Sequence, residues 1–193
     1  MTLRPLWVLA ALALAGCDQV GSAPTSDVSK IDKSAGVSAK RQGKAIVDSQ
    51  GVIFDLPGGK TGEFTFGTPR GSIEPVAARV FGAPENSRND ECGAGPMEFA
   101  RYGPITLNFQ DGELVGWMAR EGEGVLTSDS VMPGKPMRDL KIARSARMIE
   151  NSTLDGEFEY LAADGRPIRG FVEGEGRDAK IASLYAGQNC FFR

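Results

Sequence analysis

The segment Ile105–Met118, ITLNFQDGELVGWM, constrains the fold more than any other stretch of the chain. Ile105, Leu107 and Phe109 alternate with Thr106, Asn108 and Gln110, and the run Leu114 to Met118 follows the pair Asp111, Gly112. Alternation of period two marks strands half buried in a sheet. Asp-Gly accepts the positive φ angles of a type I′ turn, whose twist matches its flanking strands. A two-residue hairpin is therefore predicted. Uninterrupted pairing from that turn sets Phe109 opposite Leu114, Leu107 opposite Gly116 and Ile105 opposite Met118, on one apolar face. Val115 and Trp117 then lie on the other face with Asn108 and Thr106.

Elements upstream and downstream extend this picture. Ile53, Phe54, Leu56, Phe64 and Phe66 read as short strands interrupted by the Pro57, Gly58, Gly59 turn. Ile73, Val76, Ala77, Val80 and Phe81 fall at helical spacing, with Ser72 as a potential cap, Pro75 in the first turn, and Gly82 and Pro84 as the stop. Asp111, Gly112, Gly116, Trp117 and the Glu-Gly run 121–124 are echoed by Asp164, Gly165, Gly170, Phe171 and the Glu-Gly run 173–176, some 52 to 54 residues later. A second helix is predicted from about Pro136 to Ile149, so each hairpin has a helix before it. The expected fold is α+β: two helix-hairpin units, about 46–120 and 121–193, sharing one antiparallel sheet.

Val80, Phe81, Gly82, Ala83, Pro84 closing a helix, followed by the Ile105–Trp117 hairpin, resembles the helix-plus-hairpin unit of small outer-membrane assembly lipoproteins. The tandem arrangement is also similar to that of the β-lactamase inhibitor protein family. The resemblance covers roughly residues 68–118 and, more loosely, 133–192, where the second unit lacks the Gly-x-Pro helix ending. It implies a non-enzymatic binding or assembly module, and it carries over no specific partner residue.

The first residues specify an address. Arg4 precedes an apolar run from Leu6 to Leu14, and Leu14, Ala15, Gly16, Cys17 has the form of a lipobox, so residues 1–16 read as a lipoprotein signal peptide. Cys17 is the expected lipid acceptor. The apolar run is too short for a bilayer core that needs about 20 helical residues. Asp18 behind the cysteine favours the inner over the outer membrane, with the protein facing the periplasm. Residues 17–45, rich in Ser, Ala, Gly, Lys and Asp, form the expected flexible tether, and 46–193 the globular domain. Loss of Arg4 with the signal takes the net charge from −3 to −4, which gives nucleic acid no basic surface to bind. Outside the reducing cytoplasm Cys92 and Cys190 are left to pair with each other.

The chemistry is limited by what is missing. No histidine occurs, which removes Ser-His-Asp and Cys-His catalysis and His-based zinc sites. Gly59, Lys60, Thr61 matches the end of a phosphate loop, yet Phe54 stands where its first glycine belongs. Gly174, Gly176 and Ala179 fit a relaxed dinucleotide pattern too close to the C-terminus for the helix and strand it requires. No cofactor or metal site is expected. Glu121/Glu123, Glu157/Glu159 and Glu173/Glu175 are i, i+2 pairs that a carboxylate-based hydrolase could use and that ordinary strand surface also displays. Lys135, Arg138, Lys141, Arg144 and Arg147 recur every third residue, a step that winds around a helix. The leading expectation is a membrane-anchored, non-catalytic module that binds a protein partner, with Val115 and Trp117 as the partner surface if nothing covers them. The alternative is a carboxylate-based envelope hydrolase.

Overall fold

In the computed structural model residues 43–191 are described; the signal peptide, Cys17 and the tether through residue 42 lie outside the described residues. The first alternation of buried residues, Ala45 and Val47, then Val52 and Phe54, builds strands β1 (Lys44–Asp48) and β2 (Gly51–Leu56). The Asp48 carboxylate turns the chain between them by accepting from the N–H groups of Gln50 and Gly51 at 2.8 and 3.0 Å. Strand β1 thus takes in Lys44 and Ala45, the last two residues of the expected tether. Strand β3 (Lys60–Thr65) pairs with β2. Helix α1 (Arg70–Phe81) has its N-cap at Pro69, three residues before Ser72 and without a side-chain cap, and buries Ile73, Ala77 and Val80.

Next come β4 (Glu85–Asn89), β5 (Met97–Tyr102), β6 (Ile105–Gln110) and β7 (Glu113–Arg120), an antiparallel meander. Strand β8 (Val125–Thr127) then leaves it to lie parallel to β1, which closes a four-stranded sheet in the order β3-β2-β1-β8. Helix α2 (Met137–Arg144) leads into a second meander, β9 (Arg147–Met148), β10 (Glu157–Leu161), β11 (Pro167–Glu173) and β12 (Lys180–Gly187). Pairing of β7 with β12 fuses the meanders into one eight-stranded sheet, β4-β5-β6-β7-β12-β11-β10-β9.

The expectation of an α+β fold made of helix-hairpin units is overturned: the described residues form twelve strands in two sheets with only two α-helices, a β-rich fold. Two causes account for the difference. The apolar segments before residue 66 form a second sheet, completed by β8, and each hairpin belongs to a four-stranded meander. The second helix is also shorter than predicted, because Ser145 takes a left-handed conformation (φ 53°) and Arg147–Met148 pair with β10.

The internal repeat has a different period from the one its glycines suggest. Pro69 bridges Glu113 and Pro136 bridges Lys180, both 67 residues apart. The same offset relates Gly67 N–H to Leu114 O with Gly134 N–H to Ile181 O, and Arg70 N–H to Gly112 O with Met137 N–H to Ala179 O. It also relates the single extra residues at which the two ladders slip, Val115 in β7 and Ala182 in β12. The Asp-Gly echo aligns β7 with β11, one strand out of step.

Candidate functional site

The predicted turn forms: Asp111 (φ 50°) and Gly112 (φ 79°) connect the closing pair Gln110 and Glu113. Three residues later the register slips. Phe109 pairs with Leu114 but Asn108 pairs with Gly116, so Val115 is a β-bulge with no partner residue. A bulge sets two residues against one, and every side chain beyond it changes face. Trp117 therefore pairs with Leu107 on the apolar side and is 0 % exposed; it is core, not partner surface. The β1–β2 turn covers it, and its indole N–H donates to the Asp48 carbonyl at 2.7 Å. Val115 stays half-buried, its carbonyl accepting from Gln188 N–H at 2.7 Å.

That last contact belongs to the C-terminal segment, which leaves β12 and lies on the sheet face opposite the helices. Gly116 makes this possible, since a Cβ there would stand 2.1 Å from the Gln188 oxygen. Buried Asn108 fixes the segment by donating to Gln188 O (2.9 Å) and Asn189 Oδ1 (2.7 Å). Cys190 is bonded to Cys92, as expected from cysteine count and compartment, with Cα atoms 5.3 Å apart. Phe191 then rests on Phe171 and Tyr185, at centroid distances of 5.2 and 4.9 Å.

The same face carries one rung of paired residues across all eight strands: Glu85, Arg101, Thr106, Met118, Tyr185, Arg169, Glu159, Arg147. Its centre is Met118 against Tyr185, the two residues that the 67-residue offset makes equivalent. Charge lies toward both edges. Arg101 binds Glu85 at one, and at the other Arg147 binds Glu159 at 2.6 Å while Arg169 approaches the same carboxylate at 3.5 Å. Beside the centre, Phe99, Met118, Phe171 and Phe191 line a shallow hollow of about 290 Å³ edged by Arg120. At about 4.8 Å per strand spacing and five to six residues per strand, the face measures roughly 34 by 18 Å, on the order of 600 Å².

The carboxylate pairs do not share one arrangement. Glu121 and Glu173 flank Lys180 at 3.6 and 3.8 Å on the surface. Glu157 and Glu159 do border a common hollow with Ser152 and Arg169. Hydrogen bonds from Arg147, reinforced by Arg169, hold the Glu159 carboxyl below the ordinary carboxylate range, and Glu157 accepts from the Ser152 and Tyr185 hydroxyls. A general acid needs the opposite shift. Burial raises the Tyr102 and Tyr160 phenols to about 12, leaving them protonated at neutral pH. Of the basic stripe, only Arg138, Lys141 and Arg144 lie on α2, whereas Arg147 belongs to β9. Among the described residues no group of acidic or cysteine side chains could hold a metal ion, and no helix is long and apolar enough to cross a membrane.

Phe99, Met118, Phe171, Tyr185 and Phe191 are the residues of this face that sequence reasoning missed. No local signal marked them: the face of Met118 depends on the Val115 bulge, and the other four come from separate strands and the tail. Compared with known proteins, the chain matches no family model, no curated protein and no solved structure.

Proposed function

We propose that this chain is a lipid-anchored envelope protein whose globular part binds a protein partner, without catalysis, through the free face of its eight-stranded sheet. The observation that carries the reading is the composition of that face: half-buried Phe99, Met118, Phe171 and Phe191 form an aromatic and methionine centre over the buried Tyr185, with Arg101, Arg120, Arg147 and Arg169 around it. Partner interfaces concentrate affinity in such aromatic centres inside polar rims. An extent near 600 Å² approaches the roughly 800 Å² per partner of a standard interface and far exceeds what a small ligand covers. The hydrogen-bonded tail and its disulfide hold part of this surface rigid, which lowers the ordering cost of binding.

Photo-crosslinkers placed in intact cells at the exposed positions 120 and 169, with 60 and 111 as controls off the face, test this. One discrete protein adduct from 120 and 169, weakened at least tenfold by Phe99→Ala, is expected. Equal yields at the controls, or none at 120 and 169, refute the interface. The anchor is tested separately: Cys17→Ala should abolish metabolic palmitate labelling, and retained label refutes it. Lipid through Cys17 places the globule at the periplasmic side of the membrane, with Asp18 favouring the inner one.

A further inference from the structure

The two halves follow one plan, but only one of the grooves beside their helices is filled. Three residues before Gly67 stands Phe64, and seven after Pro69 stands Val76; the Phe64 ring and the Val76 side chain meet above Gly62. Phe64 continues to Phe54 of β2 at a centroid distance of 6.0 Å, so strand β3 delivers an aromatic ring into the groove beside α1. The positions 67 residues later are Val131, Ala143 and Asp129. Two of the changes leave the groove beside α2 emptier, since a ring becomes an isopropyl group and a valine an alanine; at the third, Asp129 stands in place of glycine and its carboxylate turns to Arg144 at 3.1 Å. The result is an open hollow of about 370 Å³ with Val131, Met132, Leu140, Ala143 and Ile181 as its apolar wall. Ile142, next to Ala143 on α2, is 85 % exposed, the most exposed large apolar side chain among the described residues.

From this we infer that the groove beside α2 receives an aromatic side chain carried on an extended segment of a partner protein, as the groove beside α1 receives Phe64 from β3. The volume suits it, since an apolar cavity of about 150 Å³ already holds a benzene ring. The charge at the rim selects the same occupant. Lys135 and Arg144 are matched by Asp129 and Asp139, so the lining has no surplus charge to draw an anionic headgroup. The buried carboxylate of Asp129 is already engaged by Arg144 and the Ala163 N–H. This site lies apart from the free sheet face and does not depend on it.

The test uses methyl-labelled full chain titrated with acetyl-Thr-Phe-Thr-amide, and with acetyl-Thr-Ala-Thr-amide as control. Saturable millimolar-range shifts at the methyls of Val131, Leu140, Ala143 and Ile181 are expected with the phenylalanine peptide alone. Val131→Phe restores the residue of the first half and should abolish them; Ala143→Glu, at an exposed helix position, should do so even if the first variant folds poorly. No saturable shift, an equal response to both peptides, or shifts that survive Ala143→Glu overturn the inference. So do the same methyls responding to vesicles of anionic phospholipid but not to the peptide.

Discussion

Truncating Trp117 to alanine is expected to remove about 4 kcal/mol of folding stability. A buried tryptophan withdraws some 150–250 Å² from water, which at about 25 cal/mol per Å² is 4–6 kcal/mol as an upper bound. Measured large-to-small truncations in cores cost about 3–5 kcal/mol. Trp117 is 0 % exposed, and its removal also strips the Asp48 carbonyl of the indole donor at 2.7 Å. Trp117→Phe keeps most of the volume and loses that donor, so about 1–2 kcal/mol is expected. For a domain of this size each kcal/mol shifts the melting temperature by about 2–4 °C, giving a drop of roughly 8–16 °C for the alanine variant. Far-UV circular dichroism should follow the melts, because the substitution deletes the fluorophore itself. In the wild-type chain beginning at Cys17, where Trp117 is the one tryptophan, emission should be blue-shifted and protected from quenchers. Quencher-accessible, red-shifted emission, or a loss under about 1 kcal/mol on truncation, would refute the bulged register.

Reducing the Cys92–Cys190 bond, which spans a separation of 98 residues, should lower stability by up to about 4–5 kcal/mol on the chain-entropy account while the sheet persists; non-reducing peptide mapping and melts with and without reductant check it. Glu159→Gln should lower stability at neutral pH. Because the folded-state pKa of Glu159 is depressed, the wild-type advantage is full above the unfolded-state value and fades as pH falls through the folded one, so the melting curves of the two proteins should converge in acid.

What could be read from the residues was local. The Asp111, Gly112 turn is specified by two adjacent side chains, and the helix after Pro69 by its spacing of Ile73, Ala77 and Val80. The cysteine pairing followed by elimination. Val115 defeats the same reasoning, since a valine in a bulge looks like a valine in a strand, and one extra residue reverses the face of Trp117. The 67-residue period was hidden for a related reason. It is written in Gly67, Pro69, Gly134 and Pro136, which hold backbone bridges, whereas the Gly-rich run at 52–54 residues was more conspicuous. The free face was illegible because its members come from β5, β7, β11, β12 and the tail, which only the long-range pairing of β7 with β12 brings together.

That pairing also governs the order in which the molecule can be completed. Strand β12 is the last of the described strands to be made, yet it occupies the middle of the sheet, between β7 and β11. A chain emerging N-terminus first can finish its β4-to-β7 meander early, but the outer edge of β7 then shows unpaired N–H and C=O groups until residues 180–187 arrive. Unpaired edges invite association with other chains, and late non-local pairing slows folding. Shortening the C-terminus to end before Lys180 should therefore do more than trim a terminus: it should leave two half-sheets with adhesive edges, and aggregation rather than loss of secondary structure should be its first visible effect.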